Sequence, residues 1–242
     1  MKFRYPFLFV FSILLVYSCY KESDYDEKEI SADRLFEKIS ISKDTLLAND
    51  ADEAILTVRI PLDLKDSYNL VKVKTSHGVF TETSKNEAET GAKIIYENGE
   101  QQRVAIFHLK SSLTPGKAKV DFSINNVSTQ KEVTIVENPA TNIKIIPSAL
   151  YMIGGPAGEL SFKTLVGSDK GKVTPGQIVQ IWVKDEDNLD KGTLRVRPSR
   201  SDAAGENNFI YSIIPDTSFT GVLIIRAECL GHMDSLNIVV VK

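Results

Sequence analysis

The residues that could carry chemistry are few and scattered. The chain has three histidines, His77, His108 and His232. None stands at a metal-ligand spacing from another histidine or a cysteine. No nucleophile elbow, phosphate-binding glycine loop or dinucleotide fingerprint occurs. Spacing leaves open only a triad assembled from distant residues, with residues 84–100 and 167–177 as the loops that could bear it. The expectation is no catalytic residue, no metal ligand and no cofactor, hence no enzyme.

Two acidic stretches crowd hard oxygen donors together, the kind that hold calcium. They are Asn49-Asp50-Ala51-Asp52-Glu53 and Lys184-Asp185-Glu186-Asp187-Asn188-Leu189-Asp190. The second lacks the glycine at the sixth place and the glutamate at the twelfth that an EF-hand needs, so both read as solvated turns. Trp182, Tyr151, Tyr211 and Phe209 could stack on a sugar ring. All four sit in apolar strand patterns, which predicts core packing for each.

The N-terminus is the most informative segment. Lys2 and Arg4 precede an apolar run from Tyr5 to Tyr17. A bilayer-spanning helix needs about 20 apolar residues, so the run is too short and reads as a secretory signal. Val16-Tyr17-Ser18-Cys19 resembles a lipobox, the cleavage site of bacterial lipoproteins, with Tyr17 bulkier than usual. The resemblance implies removal of residues 1–18 and acylation of Cys19. Each buried methylene then contributes about 0.8 kcal/mol, and more than one chain makes a stable anchor.

Residues 19–37 carry dense charge and read as a disordered tether. Their start resembles the acidic signal that directs some Gram-negative lipoproteins outward. The implied location is the outer membrane of a bacterial envelope, facing the surface. With Cys19 acylated, Cys229 has no partner, so no disulfide is expected. Cys229 lies in an apolar strand pattern and reads as a small buried residue.

Composition narrows the partners. Losing residues 1–18 removes the two cations Lys2 and Arg4 and no anion, so the formal charge moves from −3 to −5. A mildly acidic chain has no footprint for nucleic acid and no polybasic patch for anionic lipid. The residues beyond the tether suffice for two domains of about 100 each.

Strand patterns fill that length. In the first block they cover 38–47, 53–62, 70–75, 78–83, 103–110, 117–124 and 131–137, with 84–100 as a long polar loop. Ala118, Val120, Phe122 and Ile124 alternate with Lys117, Lys119, Asp121 and Ser123, which predicts one buried and one wet face. Glu137-Asn138-Pro139-Ala140 marks a joint, because proline cannot donate to a ladder. The pattern resumes over 142–152, 158–166, 178–184, 193–197, 208–214, 221–228 and 235–241. Seven strands per block fit an immunoglobulin-like sandwich, and Trp182 takes the third-strand position where such folds often bury a tryptophan. The expected class is all-β: two tandem sandwiches, residues 38–138 and 139–242, after the signal and tether.

Lys43 to Val58 and Lys74-Thr75-Ser76-His77-Gly78-Val79-Phe80 resemble segments of bacterial Ig-like domains of the invasin/intimin type. Ala51-Asp52 replaces the family's glycine. The resemblance covers residues 38–137 and implies a surface stalk or adhesion module without catalytic residues. The expected function is a non-catalytic, lipid-anchored binding or spacer module for a surface protein or glycan. The alternatives are a glycan-binding accessory of an outer-membrane uptake system and an enzyme with a loop-borne site.

Overall fold

A computed structural model describes residues 30–196 and 200–242. The signal, Cys19 and most of the tether lie outside the described residues. No described helix is long and apolar enough to cross a membrane.

Two sandwiches follow one another. In the first, one sheet runs β1 (Lys38–Ile41), β3 (Glu53–Ile60), β8 (Glu100–Lys110). Beyond β8 lie β5 (Val79–Phe80) and β7 (Lys93–Glu97), each pairing with a different part of it. The facing sheet runs β2 (Thr45–Leu47), β10 (Val127–Val136), β9 (Gly116–Ile124), β4 (Leu70–Thr75), β6 (Glu87–Gly91). The β2–β10 pairing is parallel.

The second sandwich repeats the plan. One sheet is β11 (Asn142–Pro147), β13 (Glu159–Gly167), β16 (Glu206–Ser212), β15 (Thr193–Val196). The other is β12 (Tyr151–Ile153), β18 (His232–Val241), β17 (Gly221–Cys229), β14 (Gln180–Asp185), with no counterpart of β6 among the described residues. These are tandem immunoglobulin-like sandwiches, as the strand rhythm requires.

Alternation places the cores. Ala118, Val120, Phe122 and Ile124 are all fully buried, opposite Phe80, Phe107 and Leu109. Phe162, Tyr211, Leu223, Ile225 and Ile238 fill the second core. Burying one large apolar side chain contributes about 1.5–3 kcal/mol, so these inward rows are the main source of fold stability.

Three expectations need correction. The continuous strands over 38–47 and 142–152 are each two strands in opposite sheets. The first crosses over at Ser42, whose amide donates to the Ile55 carbonyl while its hydroxyl accepts from the Ile55 amide. The second crosses after Pro147, which has no amide hydrogen to continue the ladder. The supposed loop 84–100 contains β6 and β7. The tether also ends earlier than residue 37. A short helix, α1 (Ala32–Leu35), leads into Phe36, and Leu35 and Phe36 are buried in the first core.

Polar contacts knit the sandwiches together where β10 hands over to β11. Asn138 is fully buried. Its amide donates to Thr174 Oγ1 at 2.8 Å, and its Nδ2 to the Lys172 carbonyl at 2.7 Å. Thr174 Oγ1 donates onward to the Ala48 carbonyl at 3.2 Å. Asp50 of the first sandwich stands between Lys110 at 3.4 Å and Lys172 of the second at 2.9 Å.

Candidate functional site

The acidic stretches come first, because they could have held a cation. Asn49 Oδ1 accepts from the Ala51 and Asp52 amides. Asp52 takes the Leu47 amide at 2.9 Å and Lys43 Nζ at 2.7 Å. Burial pushes the Asp52 carboxyl up, but Lys43 and the Leu47 amide together hold it below the usual range. The hydrogen bond from Lys172, aided by Lys110, holds Asp50 low. Asp185 accepts the Leu189 amide and pairs with Lys191 at 3.3 Å, which keeps it low as well. These oxygens are engaged by the chain's own donors. Among the described residues no three His, Cys, Asp or Glu side chains gather as a metal group.

The histidines stay apart. His108 Nδ1 meets Glu82 Oε1 at 2.8 Å, His77 Nδ1 meets Ser76 Oγ at 3.1 Å, and His232 is exposed at the start of β18. Cys229 is a buried free cysteine, and burial, helped by the Glu228 charge, pushes its thiol up. Residues 167–177 face the first sandwich at the joint: Ser168, Lys172 and Thr174 all bond there.

What remains are the outer sheet faces; the first sandwich exposes Ile55, Ile94, Tyr96 and Ile106 on its β3–β8–β7 side, and the two equivalent sheets built on β9 and on β17 differ from each other. In the first, the β2–β10–β9–β4–β6 sheet turns charge outward. Lys72 lies opposite Ser123 and Glu89, Lys74 opposite Asp121 and Glu87, and Lys119 opposite Glu132. Several pairs close: Lys72–Glu89 at 3.6 Å, Lys117–Glu132 at 3.3 Å, and Gln130 Nε2 to Asp121 at 2.6 Å. Beside β6 this face forms a groove of roughly 770 Å³, with Lys72, Lys74, Lys85, Glu87, Glu89 and Asp121 on its walls.

In the second sandwich the corresponding sheet mixes exposed apolar side chains with polar ones on the outside. Tyr151, Val239 and Val222 form one cross-strand row, and Ile153 and Val241 the next. Ile224 lies between Lys184 and Asn237, Arg226 between Trp182 and Ser235, and Glu228 between Gln180 and Met233. Tyr151, Ile153 and Met233 are each at least 60% exposed. Clustered exposed apolar side chains of this kind occur at contact surfaces in other proteins.

Two of the four aromatic candidates are therefore placed differently from the core expectation. Trp182 is 36% exposed on this face, and Tyr151 is 60% exposed. In β14 it is Ile181, Val183 and Asp185 that turn inward, so the residue between them must turn out. Tyr211 and Phe209 are in the core, with Phe209 stacked on Phe162 at 5.3 Å. Trp182 and Tyr151 share a face without being neighbours, since two strands separate theirs.

No family model matches the chain, and no curated protein does. Among solved structures it is similar to invasin, described as a bacterial integrin-binding protein, with TM-score 0.64 and 13% identity. That match covers 84% of this chain and 38% of invasin. It is also similar to the adhesin InvE of Yersinia pseudotuberculosis, with TM-score 0.48 and 12% identity over 85% of this chain and 58% of that one. The chain thus spans less than two thirds of either. The invasin likeness shows the fold alone, a tandem pair of Ig-like sandwiches.

Proposed function

We propose that the chain is a non-catalytic binding module of the bacterial surface, tied to the outer membrane by acylated Cys19. On this reading the first sandwich is the stalk and the second presents the contact face. The observation that carries the proposal is the contrast between equivalent sheets. One turns out charged rows, part of them paired across strands, while the other leaves Tyr151, Ile153, Val239, Val241 and Met233 in water. Exposed apolar area of this kind is costly unless a partner covers it. Invasin, an integrin-binding protein by description, has the same fold, which is consistent with a protein ligand.

Adhesion of cells displaying the full chain to immobilised extracellular proteins and polysaccharides tests this. Adhesion to a protein, lost in a Tyr151→Glu/Val239→Glu variant that still folds, is the expected result. Adhesion insensitive to that pair of changes would overturn the reading.

A glycan-binding role has one specific support, the groove beside β6 with its alternating donors and acceptors. Adhesion to a polysaccharide, abolished by Lys74→Glu or Lys85→Glu and untouched by the face variant, would favour it.

A further inference from the structure

Arg226 sits outward on β17, the inner strand between β14 and β18, and is exposed. It differs from the other arginines among the described residues. Arg34 pairs with Asp63, Arg59 with Glu37, Arg103 with Asp66 and Arg195 with Glu159. Arg200 donates to the Gly176 carbonyl. Among the described residues, Arg226 is the one arginine with neither a carboxylate nor a carbonyl partner. Glu228 is two places along the same strand and on the same face, about 6.6 Å away by strand rise. It forms no ion pair with Arg226.

We infer that this face docks a protein partner that presents a carboxylate to Arg226 beside the exposed Trp182 ring. The inference rests on the function proposed above and specifies its ligand chemistry. A guanidinium offers a planar fork of donors that matches a carboxylate in bidentate fashion. Such a pair is weak in open water and gains strength when neighbours exclude solvent. Trp182 lies directly across the ladder from Arg226 and Ile224 is next to it on the same face, while Ser235 and Glu228 close the other two sides and Val222 and Val239 lie farther along the sheet. Trp, Tyr and Arg are the residue types most often dominant in protein interfaces. Glu228 fixes the register, because a partner acid shifted one pair along β17 would meet a like charge.

A phage-displayed random peptide library, panned against the full-length chain in detergent, tests the inference. Arg226→Glu and Val239→Glu are panned in parallel after their melting curves confirm folding. Wild type should select peptides with Asp or Glu flanked by apolar residues. Arg226→Glu should select Lys or Arg at that position and lose binding of the wild-type peptides at least tenfold. Val239→Glu should lose both sets.

Wild-type peptides without acidic enrichment, or no enriched set, would overturn the carboxylate assignment. So would peptides that bind Arg226→Glu within twofold. If those peptides still need Val239, the face survives and only the Arg226 chemistry fails. If they depend on Lys74 or Lys85 instead, the proposed function fails with it. Sedimentation velocity showing a wild-type dimer that Arg226→Glu abolishes would make a second copy the occupant and overturn the separate partner.

Discussion

Asn49 Nδ2 donates to the main-chain carbonyl of Lys170 at 2.5 Å, across the boundary between the sandwiches. The same side chain holds the turn before β3, since its Oδ1 accepts the Ala51 and Asp52 amides and the Ser111 hydroxyl. One residue thus shapes a turn in the first sandwich and fastens it to the second.

Asn49→Ala should lower stability by about 1–3 kcal/mol, the cost of leaving buried amides without an acceptor. It should also widen the range of angles between the sandwiches. Urea denaturation reads the first effect and small-angle X-ray scattering the second. Unchanged scattering would show that the remaining bonds of Asn138 and Thr174 suffice to hold the joint.

Acid should loosen the same joint. Lys172, aided by Lys110, lowers the folded-state pKa of Asp50, so its contribution is complete above the unfolded value near 3.9. It is lost as pH falls through the depressed folded value. The unfolding midpoint should therefore drop below about pH 4, and Asp50→Asn should flatten that dependence. Because Asp50 is partly exposed, added salt should shrink the effect.

Gly192 has φ +59°, and a Cβ there would meet the Ser212 carbonyl and the Tyr211 hydroxyl. Gly192→Ala should cost more than Tyr211→Phe, which removes only the 3.0 Å bond to the Lys191 carbonyl. The latter should cost about 1 kcal/mol. Thermal melts of the two variants should keep that order.

Thr164 and Asn207 face each other across β13 and β16, both buried, with Thr164 Oγ1 and both Asn207 side-chain polar atoms lacking a protein partner. Thr164→Val should raise the melting temperature, since an unpaired buried hydroxyl is unfavourable. A fall would mean the hydroxyl is satisfied in solution.

Cys19→Ala should abolish lipid labelling and release the protein from membranes. Retention of the variant in the membrane fraction would refute the anchor.

Much of this architecture is legible in the sequence where one sheet face is dry and the other wet. In β9 the inward row of Ala118 to Ile124 announces itself. The signal fails where the faces are alike or reversed. β6 has one fully inward residue, Ala88, and so resembles a polar loop. β7 exposes Ile94, Ile95 and Tyr96, which contradicts the pattern a reader expects. The outer face of the β17 sheet is hidden for the same reason: exposed Tyr151, Trp182 and Val239 look like core when only their type is visible. Asn49 and Asn138 sit in stretches that read only as a solvated turn and a joint, whereas both side chains are buried. Their partners at Lys170 and Lys172 are far along the chain, so no local pattern reveals the bonds.

The parallel pairing of β2 with β10 has a mechanical consequence. If a bound partner pulls on the second sandwich while Cys19 holds the other end, tension enters the first through the chain before β1 and leaves after Val136. Thr45–Leu47 and Thr134–Val136 lie side by side in that path, with three residue pairs in register. The load reaches them as shear along the strands, so their bonds must give way together instead of unzipping in turn.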